Sequence, residues 1–227
     1  MCNMSRFGSG IIGRLALVSS LLFLASRLVP AQDQDWQEKY EAKIAELKQK
    51  NGDGTNKGLR SQLLKMRNQD QDVRKRALAL PPDKQGALDP EMRKTDQNLT
   101  HKLEEIVSTY GWPTIALVGL EASQAAATIL IHSQDHIFQR ALLPMLQGLV
   151  EKDEIVGSDV ALLTDKLLLA EGQPQKFGSQ FTVRNGKMVM DPVEDPEHLE
   201  QRRAQYLLPP MPAYKKMLAD LYHMPVE

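Results

Sequence analysis

The stretch from Glu121 to Leu130 is rich in alanine, and its small side chains let neighbouring helices approach closely. Such a segment belongs near the middle of a helical assembly. Gly111-Trp112-Pro113-Thr114 precedes it and reads as the end of one helix and a turn of the chain. His132, Asp135, His136 and the Phe138-Gln139 pair follow it, so polar groups gather where the apolar segment ends.

Helical periodicity governs most of the remaining chain. Trp36, Tyr40, Ile44 and Leu47 mark one stripe on a charged helix, an N-terminal arm that residues 51–58 join to the rest as a flexible, glycine-rich linker. Asn51-Gly52-Asp53-Gly54 lacks the alternating acidic ligands and the closing Glu of a calcium loop. The next seam reads Leu59, Leu63, Met66, Asp70, Val73, Ala77 and Leu80, with Asp70 standing where an apolar side chain is expected. Arg74 lies one turn further on the same side, within reach of it. Asp89-Pro90 opens another helix as N-cap and first residue. Its seam is Met92, Asp96, Leu99, Leu103, Ile106 and Tyr110, again with one misplaced aspartate.

The alanine-rich helix turns Ala122, Ala125, Ile129 and His132 to one side, and Asp135 caps the helix after it, in which Pro144 predicts a kink. Ser158 starts a further helix with Val160, Leu163, Leu167 and Ala170 inward. Two short strands, 181–184 and 187–190, flank Asn185-Gly186 and read as a β-hairpin. A helix from Asp195 to Tyr206 and a short one from Tyr214 to Leu221 complete the chain. The expected fold is mainly α, a compact domain over residues 59–227 of about six or seven helices with one small hairpin near the C-terminus.

The first 31 residues follow another logic. Arg6 and Arg14 precede an uncharged run from Leu15 to Ala25, and Val29-Pro30-Ala31 offers a cleavage site, the pattern of a secretory signal peptide. The run is too short for a comfortable membrane span, so none is expected once the signal is cleaved, and the alternative is an uncleaved signal anchor. Removing its three arginines takes the formal charge from −1 to −4, with no basic block, which argues against nucleic acid as a partner. The single cysteine, Cys2, lies inside this segment, so the mature chain holds no disulfide. The expected address is exported, in the periplasm or outside a bacterial cell.

Asp70, Arg74, Asp96 and His132 lie on or beside apolar stripes, where an unpaired charge is costly. One reading is a polar pocket in which a carboxylate orients His132 as a general base on water. The other is a structural network in which these groups satisfy one another. No cysteine or elbow-type serine supplies a nucleophile. His132, Asp135 and His136 have the spacing of a helical metal motif, but an N-cap at Asp135 breaks the helix inside it, so no metal or cofactor is assigned. Gln71, Gln124, Gln139, Gln175 and Gln180 offer uncharged donors and acceptors suited to a sugar or peptide, or to holding the non-helical segment in place. Trp112 is a core plug or a ligand platform, and Asp165, in Thr164-Asp165-Lys166, either faces the pocket or forms an exposed ion pair on its helix.

Taken together, Gly111-Trp112-Pro113-Thr114, Leu117-Val118-Gly119, His132…Asp135…Phe138-Gln139 and Leu162-Leu163-Thr164-Asp165 occur in one order. Gly172-Gln173-Pro174-Gln175, Phe177-Gly178, Gln180 and Glu194-Asp195-Pro196 continue it, and Asp70-Gln71…Arg74 supplies an upstream motif. This set resembles the bacterial family DUF6624, a domain of unknown function, over about Leu59 to Tyr206. The chain departs from it at Phe177-Gly178-Ser179-Gln180, where a tyrosine and a threonine are expected. The resemblance implies a mostly helical domain and no particular activity. From the residues, the expected function is a binding or interaction module for a small ligand or peptide around His132, and the alternative is a hydrolase.

Overall fold

The computed structural model describes residues 31–227. The expected signal peptide, apart from its last residue, lies outside the described residues. The helices are α1 (Ala31–Asn51), α2 (Lys57–Leu78), α3 (Asp89–Tyr110), α4 (Ile115–Val118), α5 (Leu120–His132), α6 (His136–Val150), α7 (Gly157–Ala170), α8 (Leu199–Gln205) and α9 (Met211–Tyr222). Strands β1 (Phe181–Arg184) and β2 (Lys187–Met190) stand between α7 and α8. The chain is mainly α with one hairpin, as the periodicities predict.

The alanine-rich helix is the centre. Of the 13 residues of α5, all but Glu121 and Gln124 are buried, and α2, α3, α4 and α7 pack around it. Ala122, Ala125 and Ala126 are fully covered, which is what lets several helices share one neighbour. Leu63 and Met66 of α2, Leu99 and Leu103 of α3, and Leu163 of α7 close the main core over them. Each such leucine contributes about 1.5–3 kcal/mol by leaving water. A second core, Phe181, Met188, Leu199, Tyr214 and Leu218, lies beneath the hairpin and α9.

The hairpin pairs Phe181 with Met190 and Arg184 with Lys187. Its turn places Asn185 and Gly186 at φ +52° and +77°, the left-handed pair that two-residue hairpins require. The chain end then pairs with β2, Met188 donating to Pro225 O and accepting from Glu227 N.

Three local expectations change. A 3-10 helix, Pro82–Leu88, precedes α3, so Asp89 sits in the first turn instead of capping it. The single-turn helix α4 fills what reads as a bare turn, with the Thr114 hydroxyl accepting from Leu117 N. The N-terminal arm and its linker are docked, not loose. Tyr40, Ile44 and Leu47 of α1 pack on Ile115, Leu120 and Val156. The linker donates Thr55 N and Asn56 N to Ala116 O and Leu117 O, and the Asn56 side chain caps α2 through Leu59 N. Gly54 makes this possible, because a Cβ there would lie 2.4 Å from Gly119 N. The glycines read as flexible serve instead as a close backbone-to-backbone contact.

This contact yields a paired prediction for urea denaturation. Gly54→Ala, at φ +77° with backbone in the way, is expected to cost at least about 2 kcal/mol. Gly52→Ala, at φ +55° with nothing within 4 Å, should cost only the left-handed backbone penalty of about 1–2 kcal/mol, less than Gly54→Ala. Equal small losses would contradict the docked turn.

Candidate functional site

Asp70, Arg74, Asp96 and His132 meet at one junction of α2, α3 and α5. The Asp70 carboxylate is fully covered. Its Oδ1 lies 2.7 Å from His132 Nδ1 and accepts from Arg74 Nε at 3.1 Å, while Oδ2 accepts from Gln71 Nε2 at 2.7 Å. Arg74 reaches on with Nη2 to Asp96 Oδ1, and among the described residues its Nη1 faces only the Met92 sulfur at 3.7 Å. One guanidinium thus bridges the carboxylates that interrupt two different seams.

Electrostatics separates those carboxylates. Burial pushes the Asp70 carboxyl up, but His132, Arg74 and the Gln71 hydrogen bond together outweigh it and hold Asp70 below its ordinary value. Burial also raises Asp96, and there the attraction of Arg74 and His132 does not fully compensate. An ionised Asp70 can only accept, so the hydrogen bond assigns a proton to His132 Nδ1, and a neutral ring there is the Nδ1–H tautomer. That tautomer can remove a proton from water or donate structure to a ligand.

The end of α5 is held from α6 and α7. Gln139 Nε2 donates to Leu130 O at 2.7 Å and to Ser133 O at 3.0 Å, and its Oε1 meets His136 Nδ1. Buried Lys166 places Nζ on Ile131 O and Ser133 O. A cation at a helix C-terminus satisfies carbonyls that the helix leaves open and opposes its dipole. Both groups therefore set where His132 stands.

The other sequence candidates lie elsewhere. Asp165 is wholly buried, not part of a surface pair, and accepts from Lys176 N, Phe177 N, Ser179 N and the Ser179 hydroxyl. Burial nonetheless raises its carboxyl, with those donors pulling the other way. Gln175 ties Gln180 O and Asp191 O together and accepts from Gln180 N. Gln180 itself donates to Ser179 Oγ. These groups fasten the non-helical segment to α7. Trp112 is buried in the main core, and Gln124 hydrogen-bonds the Tyr40 hydroxyl beneath α1. Asp135 accepts from Phe138 N as the cap of α6. It separates His132 from His136, whose rings face Asp70 and Gln139 respectively. Among the described residues no group of three or more His, Cys, Asp or Glu is arranged to hold a metal ion.

Sequence reading missed Lys166, Tyr222, Arg203 and Asp159. Arg203 is buried, donating to Pro209 O and Phe177 O with its guanidinium 4.8 Å from the Tyr214 ring centre. The Tyr222 hydroxyl of α9 is buried without a hydrogen-bond partner among the described residues, in electrostatic reach of Arg74. Asp159, in the first turn of α7, is enclosed near Tyr40, and one of its oxygens has no partner. Only its place in the first turn of a helix marked it, and that reads as an ordinary exposed position.

Burial alone pushes Asp159 up to about 7, against about 3.9 in the unfolded chain. Its favourable contribution is therefore fully present below about pH 4 and is lost as pH rises to about 7, by at most on the order of 4 kcal/mol. Asp159→Asn is expected to flatten this fall in denaturation curves recorded between pH 4 and pH 8. An unchanged slope would place the titration elsewhere.

Comparison with curated proteins and with solved structures finds no match. A family model described as a family of unknown function, DUF6624, matches residues 57–227, from the start of α2 to the chain end. That span holds the whole junction, the α5 clamp and the hairpin, and the chain belongs to the DUF6624 family.

Proposed function

We propose that this chain is an exported bacterial binding module whose ligand, a small polar molecule or the end of a peptide, engages the edge of the Asp70–Arg74–Asp96–His132 junction. The observation that supports this is a pair of under-used donors, Arg74 Nη1 and the Tyr222 hydroxyl, within electrostatic reach of each other. Arg74 Nη1 spends itself on a thioether sulfur at 3.7 Å, and the Tyr222 hydroxyl has no partner among the described residues. A sulfur is a weak acceptor for a guanidinium, so a carboxylate or carbonyl oxygen there gains a charge-assisted hydrogen bond. The carboxylates behind Arg74 keep its plane in place and make the site selective for acceptors. Export rests on the residues ahead of Gln32, with Arg6 and Arg14 before an uncharged run. Among the described residues no helix is long and apolar enough to cross a membrane.

A second reading is supported by the 2.7 Å contact between Asp70 and His132 Nδ1. It gives the imidazole the tautomer of a general base, so that His132 would activate water in a hydrolase with Asp70, and Asp96 through Arg74, as supporting carboxylates.

One experiment separates these readings. Wild type, His132→Gln and Tyr222→Phe are screened by thermal shift against amino acids, short peptides, organic acids and simple sugars, and assayed against ester, amide and phosphoester substrates. For a binding module, at least one compound raises the wild-type midpoint. His132→Gln keeps that shift because its amide can still donate to Asp70. Tyr222→Phe weakens the compound about tenfold while leaving the free protein as stable, since the hydroxyl it removes makes no hydrogen bond among the described residues. Wild-type turnover that falls at least about 100-fold in folded His132→Gln would establish the hydrolase instead. Neither shift nor turnover would leave the junction a purely structural device.

A further inference from the structure

The opposite side of the α2–α3 pair carries a feature that the junction does not use. A groove of about 580 Å³ runs between the two helices, its floor formed by Val73 and Leu99. Only 1% and 2% of these two residues is exposed, so the floor is firm and the surface the groove offers is that of its polar walls. Lys65 and Lys102 also line it, each about three turns along its own helix from the Arg76–Glu91 ion pair. Both are exposed, and neither has an ion-pair partner among the described residues. At the other end Arg76 of α2 is neutralised, gripping Asp72 of its own helix and Glu91 of α3. Between them stand the amides of Asn68, Gln69 and Asn98, all exposed.

The groove is therefore polarised. Its closed end is an ion-pair strut, its middle is lined by neutral donors and acceptors, and its open end carries two uncompensated positive charges. Amide side chains match the alternating N–H and C=O groups of an extended backbone. The lysine pair takes a carboxylate. From Lys65 to Arg76 the helix advances about 16 Å. An extended chain covers that distance in about five residues.

We infer that the α2–α3 groove is a docking site for an extended acidic peptide segment of about five residues, its carboxylate held between Lys65 and Lys102. This site is independent of the proposed binding edge at Arg74 and Tyr222, on the other face of the same helices. Because the groove walls are exposed side chains, charge reversal there leaves the core intact.

The test uses fluorescence anisotropy with a labelled Glu-Ala-Val-Ala-Glu peptide and its Gln-Ala-Val-Ala-Gln analogue, on the mature chain. The acidic peptide is expected to bind saturably, at least tenfold more tightly than the analogue, and to weaken as salt rises from 50 to 300 mM. Lys65→Glu/Lys102→Glu should reduce that binding at least tenfold. The control Lys50→Glu/Lys152→Glu, which changes net charge equally, should leave it within twofold. Tyr222→Phe should also leave it unchanged, so failure of one site is distinguishable from failure of the other. No saturable binding, or equal loss in both double variants, overturns the proposal. Saturable binding of an acidic oligosaccharide such as oligogalacturonate, with none of the peptide, overturns the peptide assignment.

Discussion

A carboxylate removed from water must find compensating charge and donors within a few ångströms, and Asp70 does so through contacts that hold the domain together. Its oxygens draw in Gln71 and Arg74 from their own helix and His132 from α5, and Arg74 extends the link to Asp96 on α3. Replacing such a cluster with well-packed apolar groups is often neutral for stability, but removing one member strands the rest at a cost of about 3–5 kcal/mol. The cluster therefore acts less as glue than as a specifier. It admits one register of α2, α3 and α5, the register in which both carboxylates reach the same guanidinium.

That register depends on where α5 stops. An apolar helix with small side chains can slide along its neighbours at little expense, because alanine faces are nearly featureless. Lys166 and Gln139 remove this freedom by binding the last carbonyls of α5. Asp165, one residue before Lys166, grips the backbone of residues 176–179 in the other direction. Two consecutive side chains of α7 thus couple the junction on one side to the hairpin region on the other. Loss of either charge leaves buried carbonyls or amides without partners, which an apolar core tolerates poorly.

Asp70, Asp96 and His132 were legible in the sequence because a periodic apolar stripe makes a polar intruder conspicuous. Their meeting was not, since seam positions on separate helices converge only in a particular packing. Lys166 stayed hidden, and Asp165 was noticed without its role, because α7 is apolar around most of its circumference and offers no polar face to set them against. Tyr222 fell just past the expected end of the last helix at Leu221, and its buried hydroxyl acquires meaning only from the charge of Arg74 within electrostatic reach. The linker misled for a different reason. Glycine signals freedom in an isolated chain, whereas Gly54 and Gly119 use the missing Cβ to bring two backbone segments into contact. Helix α4 escaped because four residues are too few to show a period.

The central claim is that Asp70 and His132 are energetically coupled and not merely adjacent. A double-mutant cycle with Asp70→Asn, His132→Leu and the double variant, followed by urea denaturation at pH 7, tests it most directly. The structure predicts a coupling of at least about 1.5 kcal/mol, with the double variant less damaged than the single losses imply. Effects that add to within about 0.3–0.5 kcal/mol would contradict it, and the junction would then be a set of neighbours without a common purpose.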